Sequence, residues 1–117
     1  MNKRSLVVYH KVDSDGLCSM MIAKSWYQKE GWSVDIFGFN YGDTLPDIDA
    51  FLRVYDEICL VDISFPAEIM KLFKESGRVL WIDHHITAIQ SSENEGYSDM
   101  KGVRVNGRAA CELAWAF

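Results

Sequence analysis

Seven residues of this 117-residue chain could do chemistry together: His10, Asp13, Asp15, Asp62, Asp83, His84 and His85. They fall in three stretches, HKVDSDG at 10–16, VD at 61–62 and DHH at 83–85. Carboxylate plus imidazole without thiolate suits Mn²⁺, Fe²⁺, Zn²⁺ or Co²⁺ better than Ca²⁺ or Mg²⁺. Six or seven such ligands are too many for one ion with open positions. They suit two ions ~3.5–4 Å apart that share a carboxylate. Such a pair lowers the pKa of a water and holds a phosphoryl oxygen for in-line attack.

Taken singly, each residue has a plainer explanation. An aspartate at a strand end usually forms a turn or caps a helix. A single histidine is more often a core or surface residue than a ligand. DSDG at 13–16 reads equally well as a solvated turn in which Gly16 opens a helix. Convergence decides between these readings. The chain has three histidines, and all three close a predicted strand together with acids.

The elements that must position them follow from the apolar pattern. SLVVYH (5–10), EICLVD (57–62) and RVLWID (78–83) are near-continuous apolar runs, as strands buried on both faces require. SVDIFGFN (33–40) alternates and predicts a strand nearer an edge. MKGVRV (100–105) is a further short strand. Between them, DGLCSMMIAKSWYQKEG predicts a helix with Leu17, Met20, Ile22, Ala23, Trp26 and Tyr27 on its apolar face. TLPDIDAFLRVY is a weaker helix, and PAEIMKLFKES is a helix stopped by Gly77. ITAIQSSENEG is too polar to assign clearly, and GRAACELAWAF predicts a packed helix. Strands alternating with helices give right-handed crossovers and a doubly wound, mostly parallel α/β domain. Ligands of such sheets bind beyond the carboxyl ends of the strands, where strand order reverses.

Bulk composition narrows the function classes. Hydrophobic residues make up 49% of the chain, enough for a core, and the length suits one domain. A net charge of −5 argues against a grip on long duplex nucleic acid and is compatible with a small phosphorylated ligand. The apolar run Leu6–Tyr9 is too short for a signal peptide, and no run would span a bilayer, so the expected location is cytoplasmic. Cys18, Cys59 and Cys111 are widely spaced and make neither a thiolate zinc site nor a disulfide framework.

Together these motifs resemble the first three of the DHH phosphoesterase superfamily. GRAACELAW (107–115) is similar to the small-residue segment of its oligoribonuclease and cyclic-nucleotide phosphodiesterase branch. The resemblance implies a five-stranded sheet in the order 2-1-3-4-5. It implies two divalent cations, Mn²⁺ foremost, with Mg²⁺ or Co²⁺ as alternatives. Carried over by motif, His10 and Asp13 bind one ion, Asp15 and His84 the second, and Asp62 bridges them. His85 contacts the phosphate or assists proton transfer, Asp83 orients a histidine, and Arg108 contacts phosphate. The implied substrates are short oligonucleotides or cyclic (di)nucleotides.

Members of the superfamily generally carry a further aspartate and a smaller lid domain that closes on the substrate. Asp99 follows no suitable segment to serve as that aspartate. CELAWAF ends without a cap or glycine stop, so the chain reads as a truncated first domain. Trp115 and Phe117 on its last helix then suggest a homodimer through that helix; sedimentation as a monomer at all concentrations would remove this expectation. Two other functions stay open: an inorganic pyrophosphatase or polyphosphatase, and a metal- or nucleotide-binding module without turnover.

Overall fold

The computed structural model describes residues 3–117. Strands and helices alternate throughout. They run β1 (Arg4–His10), α1 (Ser14–Lys29), β2 (Ser33–Phe39), α2 (Ile48–Val54) and β3 (Glu57–Val61). There follow α3 (Ala67–Ser76), β4 (Val79–Asp83), α4 (Ile86–Glu95), β5 (Gly102–Arg104) and α5 (Ala110–Ala116). All strand pairs are parallel, and the sheet order is β2-β1-β3-β4-β5. This is the doubly wound α/β fold expected from the sequence, in the strand order that the family resemblance implies.

Strand alternation sends neighbouring side chains to opposite faces. Leu6, Val8, Ile58, Leu60, Val79 and Trp81 face one core, with Ile48 of α2 and Met70 and Phe73 of α3. Val7, Cys59, Val61 and Ile82 face the other, with Met20, Ala23 and Tyr27 of α1 and Leu113 of α5. Each large apolar side chain buried this way contributes roughly 1.5–3 kcal/mol. The polar tips of the two largest are satisfied. Tyr27 Oη donates to Glu57 Oε1 at 2.6 Å, and Trp81 Nε1 donates to the Ile63 carbonyl at 3.1 Å.

Helix α1 departs from the face expected of it. Its buried stripe is Gly16, Ser19, Met20, Ala23 and Tyr27, whereas Leu17 and Trp26 are 45% and 52% exposed. The small residues Gly16 and Ser19 let the helix sit close on the sheet, and this turns Leu17 and Trp26 outward. Ser19 satisfies its hydroxyl by donating to the Asp15 carbonyl at 2.7 Å. Trp115 and Phe117 of the last segment are also exposed, at 81% and 63%. The polar stretch 86–95 is a genuine helix, although Ser92 is its one buried residue. Among the described residues no helix is long and apolar enough to cross a membrane.

The register brings the strand ends together. Tyr9 of β1 pairs with Val61 of β3, and Val61 with Ile82 of β4. The next residues along these strands, His10, Asp62 and Asp83, therefore emerge side by side. Strand order reverses between β1 and β3, so the crevice beside His10 and Asp62 is where this architecture places a ligand.

Candidate metal centre

Asp62 stands at the middle of the site. It is 1% exposed, and one carboxylate oxygen faces each side. Oδ1 lies 2.9 Å from His84 Nε2 and 3.9 Å from His85 Nε2. Oδ2 lies 3.6 Å from His10 Nδ1. Its backbone takes φ +58°, in the left-handed region, which no other non-glycine residue among those described adopts. Aspartate tolerates that region better than most residues, at some cost in strain. Its amide still donates to the Ile82 carbonyl at 2.9 Å, so the turn begins without losing contact with β4.

Asp13 and Asp15 are held by the start of α1, and each also serves as a helix cap. Asp13 Oδ1 accepts from the Gly16 amide at 2.7 Å and caps α1, while Oδ2 faces His10 Nδ1 at 3.0 Å. The plain reading of DSDG and the ligand reading therefore coexist on different oxygens. Asp15 reaches across the fold to the start of α5. It accepts from the Ala110 amide at 3.0 Å and the Cys111 amide at 2.9 Å, and Oδ2 lies 3.4 Å from His84 Nε2. A carboxylate has about four lone-pair positions, so these bonds leave room for another partner. Burial works to raise the Asp15 pKa. The Cys111 amide and thiol, the Ala110 amide and the His84 charge outweigh it, and the net shift is downward.

Asp83 is fully buried. Oδ1 accepts from the His84 and His85 amides at 2.8 and 3.3 Å and lies 2.6 Å from His85 Nδ1. Oδ2 accepts from Trp81 Nε1 at 3.3 Å. With Nδ1–H donated to Asp83, His85 presents Nε2 towards Asp62. Carboxylates commonly fix histidines at metal sites in this way.

Two donor groups thus share one residue. His10, Asp13 and Asp62 offer ligand atoms within 4.8 Å of one another, and so do Asp62, Asp83, His84 and His85. Four carboxylates crowd this space. Burial first, then the charges of Asp13 and Asp15, push the Asp62 pKa up to about 6. His10 Nδ1 and Asp62 Oδ2 are buried and have no hydrogen-bond partner. Such orphaned atoms are rare in folded proteins and call for an ion or another explanation. Concentrated negative charge beside an unpaired imidazole nitrogen fits divalent cations.

The DHH family's N-terminal domain profile matches residues 4–117. The chain belongs to the DHH family. DHH proteins are generally metal-dependent phosphoesterases that bind divalent metals, and the acid–histidine cluster of this DHH domain suits such ions. No curated protein matches the chain.

Other sequence-predicted residues lie further out. Arg108 is half exposed at the rim, with its guanidinium 3.7 Å from Glu112. The Ala110 and Cys111 amides beside it donate to Asp15. Asp99 sits in the loop entering β5, at the opposite edge of the sheet, and pairs with Lys74 at 3.1 Å. Two residues near the cluster were not singled out from the sequence. Asn40 Oδ1 lies 3.2 Å from His10 Nε2, and the Tyr41 ring packs edge-to-face with His10, centroids 5.4 Å apart.

Proposed function

We propose that this DHH domain cleaves phosphodiester bonds of short oligonucleotides or cyclic (di)nucleotides with two divalent cations, Mn²⁺ foremost. This places it with the oligoribonuclease and cyclic-nucleotide phosphodiesterase branch. The observation that carries the reading is Asp62, a buried carboxylate with one oxygen towards each donor group and no partner at Oδ2. His10 and Asp13 would hold one ion, and Asp15 and His84 the other, with Asp62 shared. Cations held there activate water and neutralise phosphate charge.

The chain's own residues do the rest. His85, steadied at Nδ1 by Asp83, would carry a second proton at Nε2 as the imidazolium and give it to the departing oxygen of the ester, returning to the neutral form. Arg108, half exposed just before α5, would leave Glu112 to meet a non-bridging phosphate oxygen. Beside His85 lies a cleft of about 360 Å³ lined by Tyr41, Ser64, Thr87 and Ala88. This lining has an aromatic ring and hydroxyls but no lysine or arginine. It suits an uncharged nucleoside, since stacking on aromatic rings is a sequence-tolerant way to hold a base. Inorganic pyrophosphate or polyphosphate would need a cationic clamp, so that alternative ranks lower.

The test is Mn²⁺-dependent release of p-nitrophenol from bis-p-nitrophenyl phosphate and of mononucleotide from a dinucleotide. Wild type should turn over both. Asp62→Ala and His84→Ala should each lose more than the ~10–100-fold typical of residues that only support a ligand. Turnover that survives both substitutions would contradict the mechanism. Mn²⁺ binding with no turnover would favour the binding-module reading, and a preference for pyrophosphate would favour the phosphoanhydride alternative.

A further inference from the structure

His10 has two ring nitrogens in very different surroundings. Nδ1 faces Asp13 Oδ2 at 3.0 Å and Asp62 Oδ2 at 3.6 Å, without a hydrogen bond to either. Nε2 lies 3.2 Å from Asn40 Oδ1. A neutral imidazole carries one proton, and the partner of one nitrogen decides what the other can offer. An amide oxygen at Nε2 accepts a proton and cannot give one. Nδ1 is then left with a lone pair, which neighbouring carboxylates cannot satisfy and a cation can.

Asn40 is also held where it can do this. It follows the last residue of β2, and Phe39 pairs with His10 itself across the sheet. Residues 40–43 form a turn closed from both ends. The Asn40 amide donates to Asp43 Oδ2, and the Asp43 amide donates to the Asn40 carbonyl, each at 3.0 Å. Gly42, at φ +95°, supplies the backbone conformation this turn needs. Lys11, next to His10, ties the turn down through a 3.0 Å contact with Asp43 Oδ2. Both turn bonds use the Asn40 backbone, which leaves its side chain free for the imidazole.

We infer that Asn40 is a positioning residue: it keeps the His10 proton on Nε2 and so presents Nδ1 to a divalent cation. This rests on the metal-centre reading of the same cluster. It adds the end of β2 as a fourth strand end that builds the site.

Long-range ¹H–¹⁵N correlation spectra of chelator-treated protein, with the imidazoles neutral, report directly which His10 nitrogen carries the proton. Wild type should show the Nε2–H form. Asn40→Ala should shift His10 towards a mixture and weaken Mn²⁺ binding ~10–100-fold. Asn40→Asp, which also accepts from Nε2, should restore the Nε2–H form. A wild-type His10 protonated at Nδ1 would overturn the inference, as would an unchanged tautomer in Asn40→Ala. If that variant does not fold, the wild-type and Asn40→Asp spectra still decide. Failure of wild type to bind Mn²⁺ would remove the metal centre but leave the tautomer readout intact.

Discussion

Asp62→Asn is expected to make the chelator-treated protein more stable at pH 7 while abolishing the proposed metal-dependent activity. The Asp62 carboxyl, 1% exposed, is pushed up to about 6 by burial and by Asp13 and Asp15. A group raised in the folded state favours folding fully below its unfolded pKa and loses that contribution as pH rises through the folded value. Between about pH 4 and pH 6 wild type should therefore lose roughly 3 kcal/mol, at ~1.4 kcal/mol per pH unit. The variant should escape that loss. Asparagine tolerates the left-handed backbone here as aspartate does and keeps one oxygen for His84, so the comparison chiefly reports the charge. A gain of ~1–3 kcal/mol, or about 5–10 °C in Tm, is expected at pH 7. Saturating Mn²⁺ should reverse the order, because a ligand at 100 times its Kd adds ~2.7 kcal/mol to the form that binds it. Thermal melts of both proteins across pH, with and without Mn²⁺, check this. A variant less stable than wild type at pH 7 without metal would contradict it.

Gly16→Ala is expected to destabilise the fold and damage the site, against the usual trend. Alanine in place of a helical glycine ordinarily stabilises by ~1 kcal/mol. Here an added Cβ would lie 1.9 Å from the His10 carbonyl oxygen and 2.8 Å from its carbon. Both partners are backbone, so either α1 or the end of β1 must move. The overpacking cost should reach ~3 kcal/mol or more and lower Tm by at least ~10 °C. The shift also displaces His10, Asp13 and Asp15 together, so Mn²⁺ affinity should fall with stability. A melt showing an unchanged or raised Tm would contradict the close approach of α1 to β1.

This contact explains physically why glycine follows the second aspartate of DSDG. The sequence shows that a helix opens there, but not that its first turn touches the preceding strand. Elsewhere legibility follows burial. β1, β3 and β4 are readable because both faces are covered, which makes their apolar runs continuous. α4 is obscure because it rests on the domain with little buried surface. Trp26 misleads because helical spacing gives a face, while the packing of Gly16 and Ser19 sets which way it turns. Asn40 could have been found. The rule that strand ends carry the chemistry, applied to β2 as well, singles out the residue after Phe39. It stayed hidden because NYGD looks like any surface turn, and its pairing with His10 is a contact across strands. The capping of α5 by Asp15 joins residues 95 and 96 positions apart. Nothing local in the sequence signals it.

The most direct measurement is calorimetric titration of chelator-treated protein with Mn²⁺, wild type beside Asp62→Ala. Two Mn²⁺ per chain in wild type and loss of both in the variant are expected, because one carboxylate serves both donor groups. No binding by wild type, or binding that Asp62→Ala leaves unchanged, would contradict a dinuclear centre built around Asp62.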